Sequence, residues 1–288
     1  MNRREKTAST RLPPWLKKRG TLSGNLHSMK SSLRAHGLHT VCEEARCPNI
    51  DECFGRGTAT IMIMGDRCTR NCGFCSVSHG RPAPLDPDEP GRVAGQISGL
   101  GLKHAVVTSV TRDDLPDGGA DHFAKTIRAI GGLCPETAVE VLVPDFMGRE
   151  EDIKTVCDAF PSVFNHNVET VERLTGSVRS NASYRRSLGV LSAARGMLKG
   201  PTKSGIMVGL GESDEEVERT IEDLAQTGVG IVTIGQYLRP SKLSLDVARY
   251  VKPETFREYE KIGLKLGIKH MFCGPLVRSS YMADKVLL

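Results

Sequence analysis

Cys68, Cys72 and Cys75 stand in the run CTRNCGFC, a C-x3-C-x2-C spacing. Three thiolates in one short loop can reach three corners of a cubane iron–sulfur cluster, and Gly73 between them gives the backbone freedom to wrap closely. A ferredoxin-type cluster takes four cysteines. With three, one iron keeps an open position for a chelating ligand. The amino and carboxylate groups of S-adenosylmethionine suit that position. An electron from the cluster then breaks the sulfonium bond and yields a 5′-deoxyadenosyl radical. A three-cysteine zinc site, or three buried thiols, is the alternative these residues leave open.

A second triplet lies just upstream. Cys42, Cys47 and Cys53 stand in CEEARCPNIDEC, a C-x4-C-x5-C spacing. Alone it also suits zinc with one ligand missing. Next to an iron–sulfur loop it reads as the seat of a second cluster, again short of a fourth cysteine. Cys134 and Cys157 read as core thiols, and Cys273 is an open alternative for the missing ligand. The chain has nine cysteines, an odd number, crowded toward positions 42–75. With no export signal this favours metal binding in a reducing compartment over disulfides.

Something must hold these loops. From Thr58 onward strand and helix patterns alternate. Strands are expected over 58–64, 104–110, 139–144, 163–169, 204–210 and 230–238. Helices are expected near 87–100 and over 121–132, 149–160, 182–198, 213–228 and 253–267. Ser213 and Glu216 make an S-x-x-E capping box, Gly228 fits the C-terminal stop, and Pro253 fits a first helical turn. Residues 1–57 show no long periodic element beyond a short helix over 27–39. Six strand–helix alternations imply parallel strands with right-handed crossovers, hence α/β and a partial (β/α)6 barrel. A doubly wound open sheet is the competing topology. In both, ligands gather at the C-terminal ends of the strands, where the Cys68 loop would lie.

Composition bounds the rest. At 288 residues and 39% hydrophobic content the chain can bury a sizeable core. A formal charge of +5 is too small to argue for nucleic acid but is compatible with an acidic protein partner. No apolar run is long enough to span a membrane. The start, MNRREKTASTRLPPW, has no apolar core of a secretory signal. It reads as a solvated arm on a cytoplasmic protein. Lys17, Lys18 and Arg19 read as a solvated charge run, with docking of an acidic carrier domain the alternative.

The pieces CEEARCPN with Cys53, TATIMIMG, CTRNCGFC, TRDDLPDGGA, HNVETV, GIMVGLGE and GPLVRSSY, in this order, closely resemble the lipoyl synthase family. The resemblance runs over nearly the whole chain from Cys42. It implies a TIM-like partial barrel of the radical S-adenosylmethionine type at 58–270. An N-terminal extension (1–57) would carry the Cys42, Cys47 and Cys53 triplet, and a C-terminal tail (271–288) a serine motif. It further implies two 4Fe–4S clusters. One, on Cys68, Cys72 and Cys75, binds S-adenosylmethionine. The other is auxiliary, on Cys42, Cys47 and Cys53, and its fourth ligand corresponds to Ser280 of Arg278-Ser279-Ser280-Tyr281. An oxygen ligand is an odd partner for iron held by thiolates, and one that can be released when the cluster is taken apart. Met282 stands where many members carry His, a departure that leaves the ligand unaffected.

By the same resemblance the activity is insertion of two sulfur atoms at C6 and C8 of an octanoyl chain amide-linked to a carrier lysine. Two S-adenosylmethionine molecules are used and the auxiliary cluster is consumed as sulfur donor, with Ser280 the catalytic ligand released. The carbons are unactivated, so acid–base chemistry cannot reach them and a radical can. The implied partners are octanoylated lipoyl carrier domains (2-oxoacid dehydrogenase E2 subunits, glycine cleavage H protein), an electron donor such as flavodoxin or ferredoxin, and iron–sulfur cluster carrier proteins. Asn167 and Glu169 share a polar strand face with Asn165 and are expected to meet the ribose or methionyl group of S-adenosylmethionine, with mutual hydrogen bonding inside the barrel the alternative. Gly205 and Gly209, in G-x-M-x-G-x-x-E, resemble a family strand that packs near the adenine. Gly118 and Gly119 are expected either to face the methionyl amino end or to form a plain turn. Arg239 is placed to meet a carboxylate, and His166 reads as a satisfied core or rim histidine. Two rival readings are another sulfur-inserting or methylthiolating radical enzyme and a two-cluster electron carrier.

Overall fold

A computed structural model describes residues 11–17, 39–40, 49–55, 58–281 and 283. Cys42, Cys47, Lys18, Arg19, Met282 and the helix expected over 27–39, apart from its last residue, lie outside the described residues.

The described strands are β1 His39–Thr40, β2 Thr58–Ile63, β3 Arg67–Cys68, β4 Ser78–His79, β5 His104–Ser109, β6 Ala138–Leu142, β7 Val163–Asn165, β8 Thr202–Val208, β9 Ile231–Gln236 and β10 His270–Gly274. The helices are α1 Ile50–Gly55, α2 Glu89–Gly99, α3 Ala120–Leu133, α4 Glu150–Cys157, α5 Glu172–Val178, α6 Tyr184–Met197, α7 Asp214–Gln226 and α8 Pro253–Lys265. The main sheet runs β1-β2-β5-β6-β7-β8-β9-β10, parallel throughout except for β1 against β2. Spatial order follows chain order with no reversal, so right-handed crossovers place every connecting helix on one face. That excludes the doubly wound sheet, whose order must reverse. The sheet is a partial barrel of six strand–helix units.

β2 is buried at every residue, as is β9. Such strands are covered on both faces, by helices outside and by the barrel interior, which is why TATIMI shows no polar alternation. One hydrophobic core gathers β2, β5 and β6 under α2, α3 and α4; a second gathers β8 and β9 under α7 and α8. On α7 the fully buried Val217, Ile221 and Leu224 face this second core, each contributing about 1.5–3 kcal/mol. Ser213 Oγ accepts from Glu216 N at 3.3 Å and Glu216 Oε2 from Ser213 N at 2.8 Å, the expected capping box. It is worth about 1 kcal/mol.

Three differences from the sequence expectation matter. β10 adds a seventh parallel strand against β9, so the boundary expected between 270 and 271 falls inside a strand. α5, a short helix that runs through Gly176, is not expected from the sequence. And the strand expected over 163–169 is regular only to Asn165. Beyond it Val168 N bonds to Ser204 Oγ instead of a strand carbonyl, and Glu169 sits at φ 67°. Glu169 N then rejoins Gly205 O at 2.9 Å. This local bulge re-aims the side chains of Asn167 and Glu169.

Candidate active site

The cysteine loop leaves the C-terminal end of β2. Met64 and Gly65 turn the chain with φ 66° and 90°, and β3 and β4 pair to close the loop's base. Cys68 Sγ accepts from Arg70 N at 3.4 Å and from Thr111 N at 3.3 Å; Cys75 Sγ accepts from Val77 N at 3.4 Å. Cys72 Sγ takes a backbone N–H from Ser180. Gly73 is needed for close approach: an added Cβ would lie 2.9 Å from Leu245 Cγ. Its N–H reaches Val178 O at 2.9 Å and its carbonyl receives Leu245 N at 2.8 Å.

Arg70, inside the motif, locks the loop to the barrel. Its buried guanidinium reaches Asp113 (Nε 2.7 Å, Nη2 2.8 Å) and Asp145 (Nη1 3.2 Å, Nη2 2.7 Å). Burial opposes the charge on Asp145, but Arg70 outweighs it and holds that carboxyl down at about 2. Arg186 adds a third link to Asp145 at 3.1 Å. A buried pair of this kind is strongly destabilised when one partner is removed.

Cys68, Cys72 and Cys75 line one cavity of about 220 Å³ with Asn167, Glu169 and Arg179. Burial pushes the Cys75 thiol up to about 11 and the Cys72 thiol upward too. A coordinated metal displaces such protons outright. Burial also raises the Glu169 carboxyl, partly offset by Arg179. Asn167 Nδ2 donates to Glu169 Oε1 at 3.1 Å, so the two bond to each other as well as facing the cavity. Asn167 Oδ1 is buried with no hydrogen-bond partner among the described residues. An orphaned buried acceptor suits a polar ligand that donates to it. Among the described residues no three His, Cys, Asp or Glu side chains are drawn together tightly enough to hold a single ion. A cubane, whose iron corners are spread, asks only that three sulfurs face one cavity. Soft sulfurs served by backbone N–H groups in a mostly apolar cavity fit that group.

The other expected residues are more scattered. Asn165 donates to Glu140 at 2.9 Å in a separate buried cluster. Gly205 backs onto Asn167, where a Cβ would stand 2.8 Å from Oδ1. Gly209, at φ 103°, packs against Gln236, with its N–H on Glu212 Oε1 at 2.6 Å. Gly119 caps α3 at φ 90° against Met64, and Gly118 lines a smaller neighbouring cavity beside Phe146. His166 is satisfied, by Val143 O at 2.8 Å and Ser187 Oγ at 2.9 Å, and burial holds it near 4. Arg239 points away from the cavity, onto Asp246 and the carbonyls of Ser241 and Lys242. Cys157 is in the first core with Cys134 packed against it, and Cys273 packs against the second core. Sequence reasoning missed Arg70, Asp145, Arg179 and Arg186. The signal for Arg70 was its place inside the cysteine motif; the others sit in loops and a helix with no local signature.

Two distant segments, each bearing residues expected at a second cluster, are joined. Asn49 Nδ2 donates to Leu276 O at 2.6 Å, and Tyr281 Oη to Glu52 Oε1 at 3.1 Å. These bonds fasten the tail bearing Ser279 and Ser280 to the segment 49–55, which carries Cys53. Gly235 of β9 makes room for the tail: a Cβ there would stand 2.1 Å from Val277 O.

Comparison with known proteins matches the Radical SAM superfamily over residues 62–224 and the N-terminal domain of lipoyl synthase of that family over residues 1–47. Lipoyl synthase of Caldanaerobacter subterraneus subsp. tengcongensis is 58% identical over 96% of this chain and 97% of its own. That of Rubrobacter xylanophilus is 57% identical over 95% and 85%. Among solved structures, methylornithine synthase matches with a TM-score of 0.55 at 13% identity, over 86% of this chain and 81% of its own. Streptococcus suis SuiB bound to precursor peptide SuiA matches with 0.59 at 8%, over 86% and 52%. At such identities these structures speak for the fold alone.

Proposed function

This chain belongs to the lipoyl synthase family of radical S-adenosylmethionine enzymes, and from that premise we infer that it inserts sulfur at C6 and C8 of a carrier-bound octanoyl-lysine. The family carries one 4Fe–4S cluster that binds S-adenosylmethionine, and we assign it to Cys68, Cys72 and Cys75. That cluster, when bound, supplies the electron that splits S-adenosylmethionine into methionine and a 5′-deoxyadenosyl radical. The chain's own residues then do the positioning. Arg70 holds the loop through Asp113 and Asp145. Asn167 and Glu169 offer an acceptor and a carboxylate to the ribose or the methionyl group. Gly205 leaves room for Asn167, Gly118 and Gly119 shape the turn before α3, and Gly209 packs against Gln236, all three outside the lining of the cysteine cavity.

The sulfur substrate is an auxiliary 4Fe–4S cluster on Cys42, Cys47, Cys53 and Ser280. The observation that carries this reading is the fastening of the serine tail to the Cys53 segment through Asn49–Leu276 and Tyr281–Glu52. Segments so far apart in the chain are fastened together, as a serine ligand from the tail would require. Octanoylated E2 subunits and the H protein are the carriers, flavodoxin or ferredoxin supplies electrons, and iron–sulfur cluster carrier proteins are further partners. No helix among the described residues is long and apolar enough to cross a membrane. We assign the reaction to the cytoplasm.

Anaerobic incubation of reconstituted protein with an octanoyl-lysine peptide, S-adenosylmethionine and dithionite tests the reading by mass spectrometry. The expected product gains two sulfurs. Cys68→Ala should abolish deoxyadenosine formation. Cys42→Ala should spare it and stop sulfur insertion. If both variants behaved alike, the division between the two triplets would be wrong.

A further inference from the structure

The turn after β9 is built rigidly around a side chain that touches nothing. Leu243 is 98% exposed. Its turn is nonetheless fixed at many points. Arg239 holds the carbonyls of Ser241 and Lys242 and pairs with Asp246. Ser244 N reaches Ser241 O at 3.2 Å, Leu243 N reaches Ser241 Oγ at 3.2 Å, and Tyr237 Oη reaches Leu245 O at 2.8 Å. The turn is also bolted to the cysteine loop. Leu245 N donates to Gly73 O at 2.8 Å, and Ser244 Oγ reaches Cys75 O at 3.5 Å. Cys75 is the most exposed of the three loop cysteines.

Three exposed cations lie on the turn and on the cysteine loop it is bonded to. Lys242 is exposed on the turn, and Arg67 and Arg81 are exposed on the chain entering and leaving the cysteine loop. None of the three has an ion-pair partner among the described residues. Of the acids in the same segments, Asp66 is exposed beside Arg67, Asp86 and Asp88 follow Arg81 with Asp86 paired to Arg92, and Asp246 is held by Arg239.

Resting on the reading that Cys68, Cys72 and Cys75 hold a reducible cluster, we propose that the Arg239–Asp246 turn, with Arg67 and Arg81, is the docking surface for an acidic one-electron carrier protein. Cleaving a sulfonium bond by reduction takes one electron from outside each time. That electron leaves the reduced carrier, which is oxidised by one, and enters the cluster, with no proton transfer required. Electron transfer weakens steeply with distance, so the carrier must sit against the cysteine loop, which reaches the surface at residue Cys75 while the thiol itself turns inward. Leu243 is the apolar anchor and the three cations steer an acidic partner. The bonds to the carbonyls of Gly73 and Cys75 join the docked surface directly to the loop that holds the cluster.

Binding of flavodoxin, a small acidic flavin carrier, is measured by flavin fluorescence against the purified chain. Deoxyadenosine formation is measured in parallel with an octanoyl-lysine peptide and either reduced flavodoxin or dithionite. Leu243→Glu and Lys242→Glu should each raise the Kd at least about tenfold, and wild-type binding should weaken with salt. The flavodoxin-driven rate should fall with the affinity while the dithionite-driven rate stays unchanged. Unchanged binding in both variants would overturn the proposal. So would an equal loss with both reductants, or a loss seen only when an octanoylated carrier domain replaces the peptide, since that would make the turn the carrier's seat. Failure of the wild type to cleave S-adenosylmethionine even with dithionite would sink the underlying cluster reading, while the binding titration would still decide the surface.

Discussion

At Gly205 an added Cβ would stand 2.8 Å from Asn167 Oδ1 and 2.9 Å from Thr233 Oγ1. Neither neighbour can retreat freely. Asn167 is tied to Glu169, and Thr233 Oγ1 lies 3.4 Å from Ser204 O inside the barrel. The methyl group must therefore push the Asn167 amide toward the cavity, away from its bond to Glu169. Overpacking of this kind costs about 1–3 kcal/mol, which a fold of this size survives. Gly205→Ala should stay folded and bind S-adenosylmethionine several-fold more weakly, about as Asn167→Ala does. Equilibrium binding to the reconstituted protein is the measurement. An unchanged Kd in both variants would remove Asn167 from the S-adenosylmethionine site. The glycine was legible in the sequence as part of G-x-M-x-G-x-x-E, but its reason was not. The close approach is to an asparagine two strand positions into a bulge, and no local pattern announces a bulge.

At the scale of elements, the sequence carried the strand–helix alternation because each unit has its own period and its own stops. The capping box at Ser213 and Glu216 is an example, with signal and bond lying within four residues. What it did not carry depends on distant partners. β10, HMFCG, has no alternation of its own and exists because β9 offers a free edge. Arg70 gains its meaning from Asp145, which follows β6, and the tail gains its position from Asn49 and Glu52. The tail supports a prediction. Tyr281→Phe removes one fastening to the Cys53 segment, and Gly235→Val drives a side chain into Val277 O, which an added Cβ alone would approach to 2.1 Å. Both should free Ser280 from the auxiliary site while leaving the cysteine loop alone. Iron content should fall from about eight per chain toward about four, one cubane's worth. Deoxyadenosine formation should persist and the two-sulfur product should disappear. Full iron content in both variants would mean that the tail's position does not hold the second cluster. Should Gly235→Val fail to fold, Tyr281→Phe decides alone.

At the scale of the whole molecule, an open sheet wrapped into a partial barrel must keep its interior from collapsing or flooding. Here four successive strands are cross-linked through that interior. His104 of β5 and Asn165 of β7 both face Glu140 of β6, and Lys203 of β8 donates to both oxygens of Glu140 at 2.9 Å and 3.0 Å. All four side chains are almost completely buried. Burial alone would push the Glu140 carboxyl up, but Lys203 and His104 outweigh it and hold it below the ordinary range. A carboxyl lowered in the folded state stabilises above its unfolded pKa, about 4.3, and loses that contribution as acid carries the pH down through the folded value. Removing one partner should be far worse than removing both. Glu140→Leu leaves an ammonium buried without its counter-charge, at a cost of about 3–5 kcal/mol, whereas Glu140→Leu with Lys203→Met replaces the pair by apolar volume at little cost. Thermal unfolding at neutral pH should show a large drop in Tm for the single variant and most of it restored in the double. The single variant should also lose the wild type's extra sensitivity to acid below about pH 4. If the double were as unstable as the single, the cluster would be holding the strands by geometry that apolar packing cannot replace, and charge pairing would not be what closes the barrel.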